Sequence, residues 1–117
     1  MVRGNVSGSN SVGGIIGSQY QNTNMTIQNS SVQNSNVSGS DYVGGIIGYC
    51  YNCKLHLTDV QIKFVRITGS SRLGVVIGQN DGGTYSFITS TASQNYINGA
   101  IQTDCTSLLN NKPNSGC

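Results

Sequence analysis

Apolar residues in this chain alternate in short runs, and the runs come back at a fixed step. Leu55-x-Leu57 and Val60-x-Ile62-x-Phe64 show the period of two expected of a strand with one buried face. Gly, Asn and Ser separate the runs, and no window carries an i, i+3, i+4 apolar stripe of useful length. Val6-Ser7-Gly8, Val37-Ser38-Gly39, Ile67-Thr68-Gly69 and Ile97-Asn98-Gly99 are spaced by 31, 30 and 30 residues. The pairs Met25/Ile27, Leu55/Leu57 and Tyr85/Phe87 keep a step of 30, as do Val32 and Ile62. A glycine-rich box, Val12-Gly13-Gly14-Ile15-Ile16-Gly17, returns as Val43-Gly44-Gly45-Ile46-Ile47-Gly48 and, altered, as Leu73-Gly74-Val75-Val76-Ile77-Gly78.

A box recurring at this period is the mark of a repeat architecture. The pattern predicts an all-β fold, a parallel β-solenoid of about 3.5 coils with a 30–31-residue repeat. The units fall at about 2–33, 34–63 and 64–94, with a partial copy at 95–104 and a non-repeating tail or cap at 105–117. The extra residue of the first unit lies between Gly17 and Met25. Stacking puts Val6, Val37, Ile67 and Ile97 in one inner ladder and Ile16, Ile47 and Ile77 in another. Ser7, Ser38, Thr68 and Asn98 form a polar ladder on the opposite side of the first. The glycine columns, Gly13/Gly44/Gly74 among them, mark corners where the backbone needs positive φ or packs too closely for a Cβ. One coil offers few inward apolar side chains, such as Val37, Ile47 and Leu57. It cannot offset the entropy of ordering its own backbone, so neighbouring coils must supply the rest.

The arrangement Val-Ser-Gly-x-x-x-Val-Gly-Gly-Ile-Ile-Gly resembles the GLUG motif, a glycine-rich repeat of bacterial surface adhesins and of secreted protist repeat proteins. The resemblance covers most of residues 2–100. The third copy departs from it at Val75, which stands where the second glycine of the box is expected, and the fourth departs after Gly99. The resemblance implies an extracellular β-solenoid used for adhesion or scaffolding.

Composition narrows the function classes. Of 117 residues, 36% are hydrophobic and only 9% charged, glutamate is absent and the net charge is +2. Regularly placed Val and Ile with so little charge argue for an ordered β protein rather than a disordered chain. The cations Arg3, Lys54, Lys63, Arg66, Arg72 and Lys112 form no run, so nucleic acid is not an expected partner. No apolar run approaches the roughly 18 residues of a membrane-spanning helix. The first residues show no apolar leader, and the repeat phase favours a processed chain or a piece of a longer array.

Candidate chemistry is sparse. The box is not a phosphate loop, because no Lys-Ser/Thr follows it and no helix opens after it. Cys50-x-x-Cys53 lacks the βαβ setting of a redox pair, and a zinc site would need Cys105 and Cys117 from the tail. Disulfides are the expected reading: a short loop at Cys50 and Cys53, and a second bridge through Cys105 and Cys117. His56, the single histidine, alternates with Leu55 and Leu57 and faces outward. Asp41 is expected to stack on Ser71 and Asp59 on Thr89, so neither meets the second acid that a glycosidase-like site needs. Asn80-Asp81-Gly82-Gly83 lacks the aspartate repeat of calcium-binding turns and reads as a plain turn. Sequons place glycosylation candidates at Asn5, Asn24, Asn29 and Asn36, with Asn5 and Asn36 on equivalent rungs. Ordered Ser/Thr/Asn ladders also raise ice binding, but a Thr-x-Thr file is missing.

The expected function is a non-enzymatic extracellular or cell-surface structural and adhesive repeat protein without cofactors. It would self-associate through exposed solenoid ends, with end-to-end assembly into a filament as the strongest form. The alternative is a glycan-binding module of a surface adhesin, with Tyr20, Tyr42, Tyr49 and Tyr51 as stacking surfaces for a glycan or cell-surface ligand. A β-helix carbohydrate-active enzyme is the third reading.

Overall fold

The computed structural model of the protein describes residues 2–20 and 24–102. The first coil carries β1 (Val2–Ser7), β2 (Asn10–Gly13) and β3 (Ile16–Tyr20). The second carries β4 (Asn24–Ser38), β5 (Asp41–Gly44) and β6 (Ile47–Tyr51), and the third β7 (Lys54–Thr68), β8 (Ser71–Gly74) and β9 (Ile77–Asp81). The chain then follows the path of β7 once more in β10 (Thr84–Ile88), β11 (Thr91–Ser93) and β12 (Asn95–Ile97), and ends its described part in β13 (Ala100–Gln102). Like strands stack in parallel into three sheets: β1-β4-β7 continued by β10, β11 and β12; β2-β5-β8; and β3-β6-β9. The fold is a parallel β-solenoid of about three turns. Among the described residues no helix is long and apolar enough to cross a membrane.

The repeat period becomes the strand register. Val6, Val37, Ile67 and Ile97 pair rung on rung, as do Ile16, Ile47 and Ile77. Met25, Leu55 and Tyr85 form another ladder, and Val32, Ile62 and Ala92 a fourth. The register changes from 31 to 30 residues between the pairs Tyr20–Tyr51 and Asn24–Lys54, where the extra residue was expected. The ladders fill the coil with Val37, Ile47, Leu55, Leu57, Ile62, Ile67 and Ile77, all fully buried. His56 is exposed on the opposite side of its strand.

Of the two reasons expected for the glycine columns, positive φ falls mostly on other residues. Three columns of non-glycine residues stand in the left-handed region, Ser11/Tyr42/Arg72, Asn29/Asp59/Thr89 and Asn34/Phe64/Gln94, with φ between 46° and 57°, and Asn52 and Gly82 form a further corner at φ 49° and 71°. The second and third columns interrupt the long strands, and the ladder pairing of β4 with β7 skips Asn29–Asp59 and Asn34–Phe64. Asn and Asp tolerate this conformation because their short polar side chains bond locally; Tyr, Phe, Arg and Thr pay more.

The box glycines serve the other purpose, close approach. A Cβ on Gly44 would lie 2.7 Å from the backbone nitrogen of Gly78, and one on Gly45 would run into the carbonyl of Val75. The boxes are bonded to their own copies, Gly14 N–H to the Gly45 carbonyl and Gly45 N–H to the Gly74 carbonyl, both at 3.2 Å. Val75 stands where the second glycine is missing. Among the described residues no fourth box follows it, because the chain turns at Gly99 (φ 84°) and β13 folds back antiparallel on β12. A side chain is therefore admitted at Val75 and refused at Gly14 and Gly45.

The two ends of the solenoid are unlike. At one end β1, β2 and β3 are edge strands, and Val6, Ile16, Met25 and Ile27 are only half-buried although their partners one coil on are fully covered. At the other end β13 covers the outer edge of β12, β8, β9, β10 and β11 have no outer neighbour among the described residues, and the core positions Leu73, Ile77, Phe87 and Ala92 are nonetheless buried.

Candidate functional site

The densest group of aromatic and charged side chains lies across the second and third coils, on the two sheets that flank the box. β5 brings Tyr42, β6 Tyr49 and Tyr51, β8 Arg72, and β9 Gln79 and Asp81. Alternation along β6 puts Tyr49 and Tyr51 on the outer face, while Cys50 between them is buried. The left-handed corner at Tyr42 swings its ring toward β6, so the Tyr42 and Tyr49 centroids are 4.8 Å apart. Tyr49 and Tyr51 follow at 6.5 Å with nearly parallel planes. Three of the four tyrosines expected to form a stacking surface thus have their rings together. The fourth, Tyr20, pairs with Tyr51 in backbone register.

Polar groups frame the rings. The Tyr49 hydroxyl donates to Asp81 Oδ2 at 2.8 Å and Gln79 Nε2 donates to Oδ1 at 2.7 Å. These two bonds, the Gln79 one first, hold the Asp81 carboxyl below the usual carboxylate range; desolvation opposes them, and the charge of Arg72 adds a lesser push in their direction. The Arg72 guanidinium lies 4.5 Å over the Tyr42 ring and donates to its hydroxyl. It also pairs with Asp41, Nε to Oδ1 at 3.4 Å. Asp41 stacks on Ser71, as its register position implied, and accepts from that hydroxyl at 2.8 Å. The arrangement is a ridge of rings with fixed acceptors and a cation at its edge. It suits a ligand that offers apolar C–H faces and hydroxyls together.

The other candidates are dispersed. Cys50 and Cys53 stand at disulfide distance, with Cα atoms 5.7 Å apart, on the buried side of the corner before β7. Cys105 and Cys117 lie outside the described residues. Asn5 and Asn36 occupy one rung pair, and Asn36 Nδ2 donates to Asn5 Oδ1 at 2.9 Å. Asn24 and Asn29 are exposed, Asn29 at a left-handed corner. Asn80 and Gly83 close a turn on each other through two hydrogen bonds, with Gly82 at φ 71°. Sequence reasoning weighed Asp81 as one of four acids and as part of that turn, and missed its hydrogen bond with Tyr49. The signal was the column Tyr20/Tyr51/Asp81 at steps of 31 and 30.

No family model matches the chain, and neither a curated protein nor a solved structure matches it.

Proposed function

We propose that this chain is a non-enzymatic structural and adhesive repeat module working outside the cell or at its surface, and that it associates through one end of its solenoid. The carrying observation is the open first coil. Val6, Ile16, Met25 and Ile27 are half-buried where Val37, Ile47, Leu55 and Leu57 are closed off, and β1, β2 and β3 keep one unpaired edge each among the described residues. Strand edges of this kind template further pairing. Gln19 on the same coil is buried, and among the described residues neither of its side-chain amide atoms has a partner, a deficit that an added layer would relieve. Because the core positions of the last turn, Leu73, Ile77, Phe87 and Ala92, are already buried, the association favoured is first coil to first coil between two copies, rather than an endless filament. A surface with few charges and a cysteine pair at disulfide distance suit an oxidising extracellular setting, in line with the GLUG resemblance. Sedimentation velocity tests this reading: a dimer is expected, and Ile15→Lys, at a box residue 38% exposed on the first coil, should give monomers with an unchanged circular-dichroism spectrum. A monomeric parent chain refutes it.

A second reading, a glycan-binding module, draws on the tyrosine ridge. Tyr42, Tyr49 and Tyr51 with Asp81 and Arg72 supply the stacking faces and polar rim that a neutral sugar needs. Retention on a glycan array that is lost on Tyr49→Ala and Tyr51→Ala supports it, and retention by those variants removes it.

A further inference from the structure

A second surface lies on the sheet formed by β1, β4, β7 and β12, away from the tyrosine ridge and independent of it. Along that sheet Asn5, Asn36, Arg66 and Tyr96 form an outward column, one residue per coil. Beside the column runs a groove of about 490 Å³ lined by Asn34, Ser35, Asn36, Phe64, Arg66 and Tyr96. That volume is in the range of sites for small molecules.

Phe64 is the residue that asks for an explanation. It occupies a left-handed corner, φ 57°, where the preceding coil has Asn34 and the following one Gln94. Phe is poorly suited to that conformation, and its ring is 43% exposed, so it serves neither the backbone nor the core. The core at this level is filled by the next residue, Val65, which is fully buried. A strained, exposed aromatic ring kept at a groove is a feature of binding sites.

Charge then selects the ligand. Lys63 Nζ lies 5.0 Å from the centre of the Phe64 ring, and the Arg66 guanidinium 4.9 Å from that of Tyr96. Arg3 belongs to the same corner one coil earlier, in the bulge between Val2–Val32 and Gly4–Ser35. Among the described residues no carboxylate lines the groove, and the one acid of β7, Asp59, stands at the other corner. Two ring faces meet the C–H side of a pyranose, the Asn34 and Asn36 amides meet its hydroxyls, and the guanidinium meets an anion in a planar fork.

We propose that this groove binds an acidic saccharide, a pyranose bearing a carboxylate or a sulfate ester, with Phe64 and Tyr96 as stacking faces and Arg66 and Lys63 as the anion site. Isothermal titration calorimetry at 150 mM salt with an oligogalacturonate and with a heparin-derived oligosaccharide tests it and separates carboxylate from sulfate. A neutral malto-oligosaccharide and a single-stranded oligonucleotide of equal charge serve as controls. Binding of at least one acidic sugar is expected, with affinity reduced at least tenfold by Phe64→Asn and by Arg66→Gln. Phe64→Asn places at the corner the residue type of Asn34, so its melting temperature should equal or exceed the parent's. Tyr49→Ala should leave the affinity unchanged, which keeps this site distinct from the tyrosine ridge. The proposal is overturned if neither acidic sugar binds, if Phe64→Asn and Arg66→Gln bind like the parent, if Tyr49→Ala abolishes binding, or if the oligonucleotide binds as tightly.

Discussion

The side chain of Asn95 completes the backbone of Val65 one coil below. Its Oδ1 accepts from the Val65 N–H at 3.0 Å, while its Nδ2 donates to the Ile62 carbonyl at 2.9 Å. The left-handed corner at Phe64 breaks the ladder there, and a fully buried amide stands in for the missing strand. Ser90 does the same at the other corner, accepting from the Val60 N–H at 3.1 Å, and Ser35 accepts from Gly4 N–H at 3.2 Å. Asn95→Leu removes both bonds and leaves two buried backbone groups unpaired, at about 1–3 kcal/mol each. Chemical denaturation should show a loss of several kcal/mol for it, and a Ser90→Ala loss of about half as much.

Gly45 and Val75 hold the same place in successive boxes and should respond oppositely. A Cβ on Gly45 meets the Val75 carbonyl, a backbone group that cannot step aside. Gly45→Ala is expected to cost more than about 4 kcal/mol, at the extreme of single substitutions. Val75→Ala leaves a small cavity instead, at about 1–3 kcal/mol. Thermal unfolding of the two variants beside the parent would settle the order.

The hydrogen bonds to Asp81 make stability depend on acidity. Its folded-state carboxyl titrates below its unfolded value, so the stabilisation is complete above about pH 4 and fades as the pH falls through the lowered folded value. Asp81→Asn should therefore melt below the parent at pH 7, with the gap closing toward pH 2. A gap constant from pH 7 to pH 2 would show that the carboxylate charge plays no part.

Cys50 and Cys53 enclose a very short loop, so the bridge removes little entropy from the unfolded chain. Reduction with dithiothreitol, or the double change to serine, is expected to cost about 2 kcal/mol without loss of the fold. Both thiols are buried, so reduction should be slow in the native state.

Much of the fold was legible because stacking turns a sequence period directly into contacts. Val6, Val37, Ile67 and Ile97 could be set on one ladder from spacing alone, and the structure pairs them. The corners were not legible. Tyr42, Phe64, Arg72 and Thr89 carry no local mark of a left-handed backbone, and the glycines nearby drew attention to themselves although they serve close approach. The tyrosines of the candidate site were visible as residue types. Their partner Asp81 was not, because Tyr49 meets it diagonally, 32 residues away, instead of on its own rung. The Phe64 groove was hidden for the same reason as its corner.

The central claim is that each coil is held by its own copy one repeat away. The most direct test is the through-hydrogen-bond scalar coupling measured by NMR on uniformly labelled protein. Couplings are predicted from Gly14 N–H to the Gly45 carbonyl, from Gly45 N–H to the Gly74 carbonyl and from Ile46 N–H to the Val76 carbonyl. Couplings from these amides only to carbonyls close in sequence, as in β-hairpins, would contradict the stacked solenoid and everything built on it.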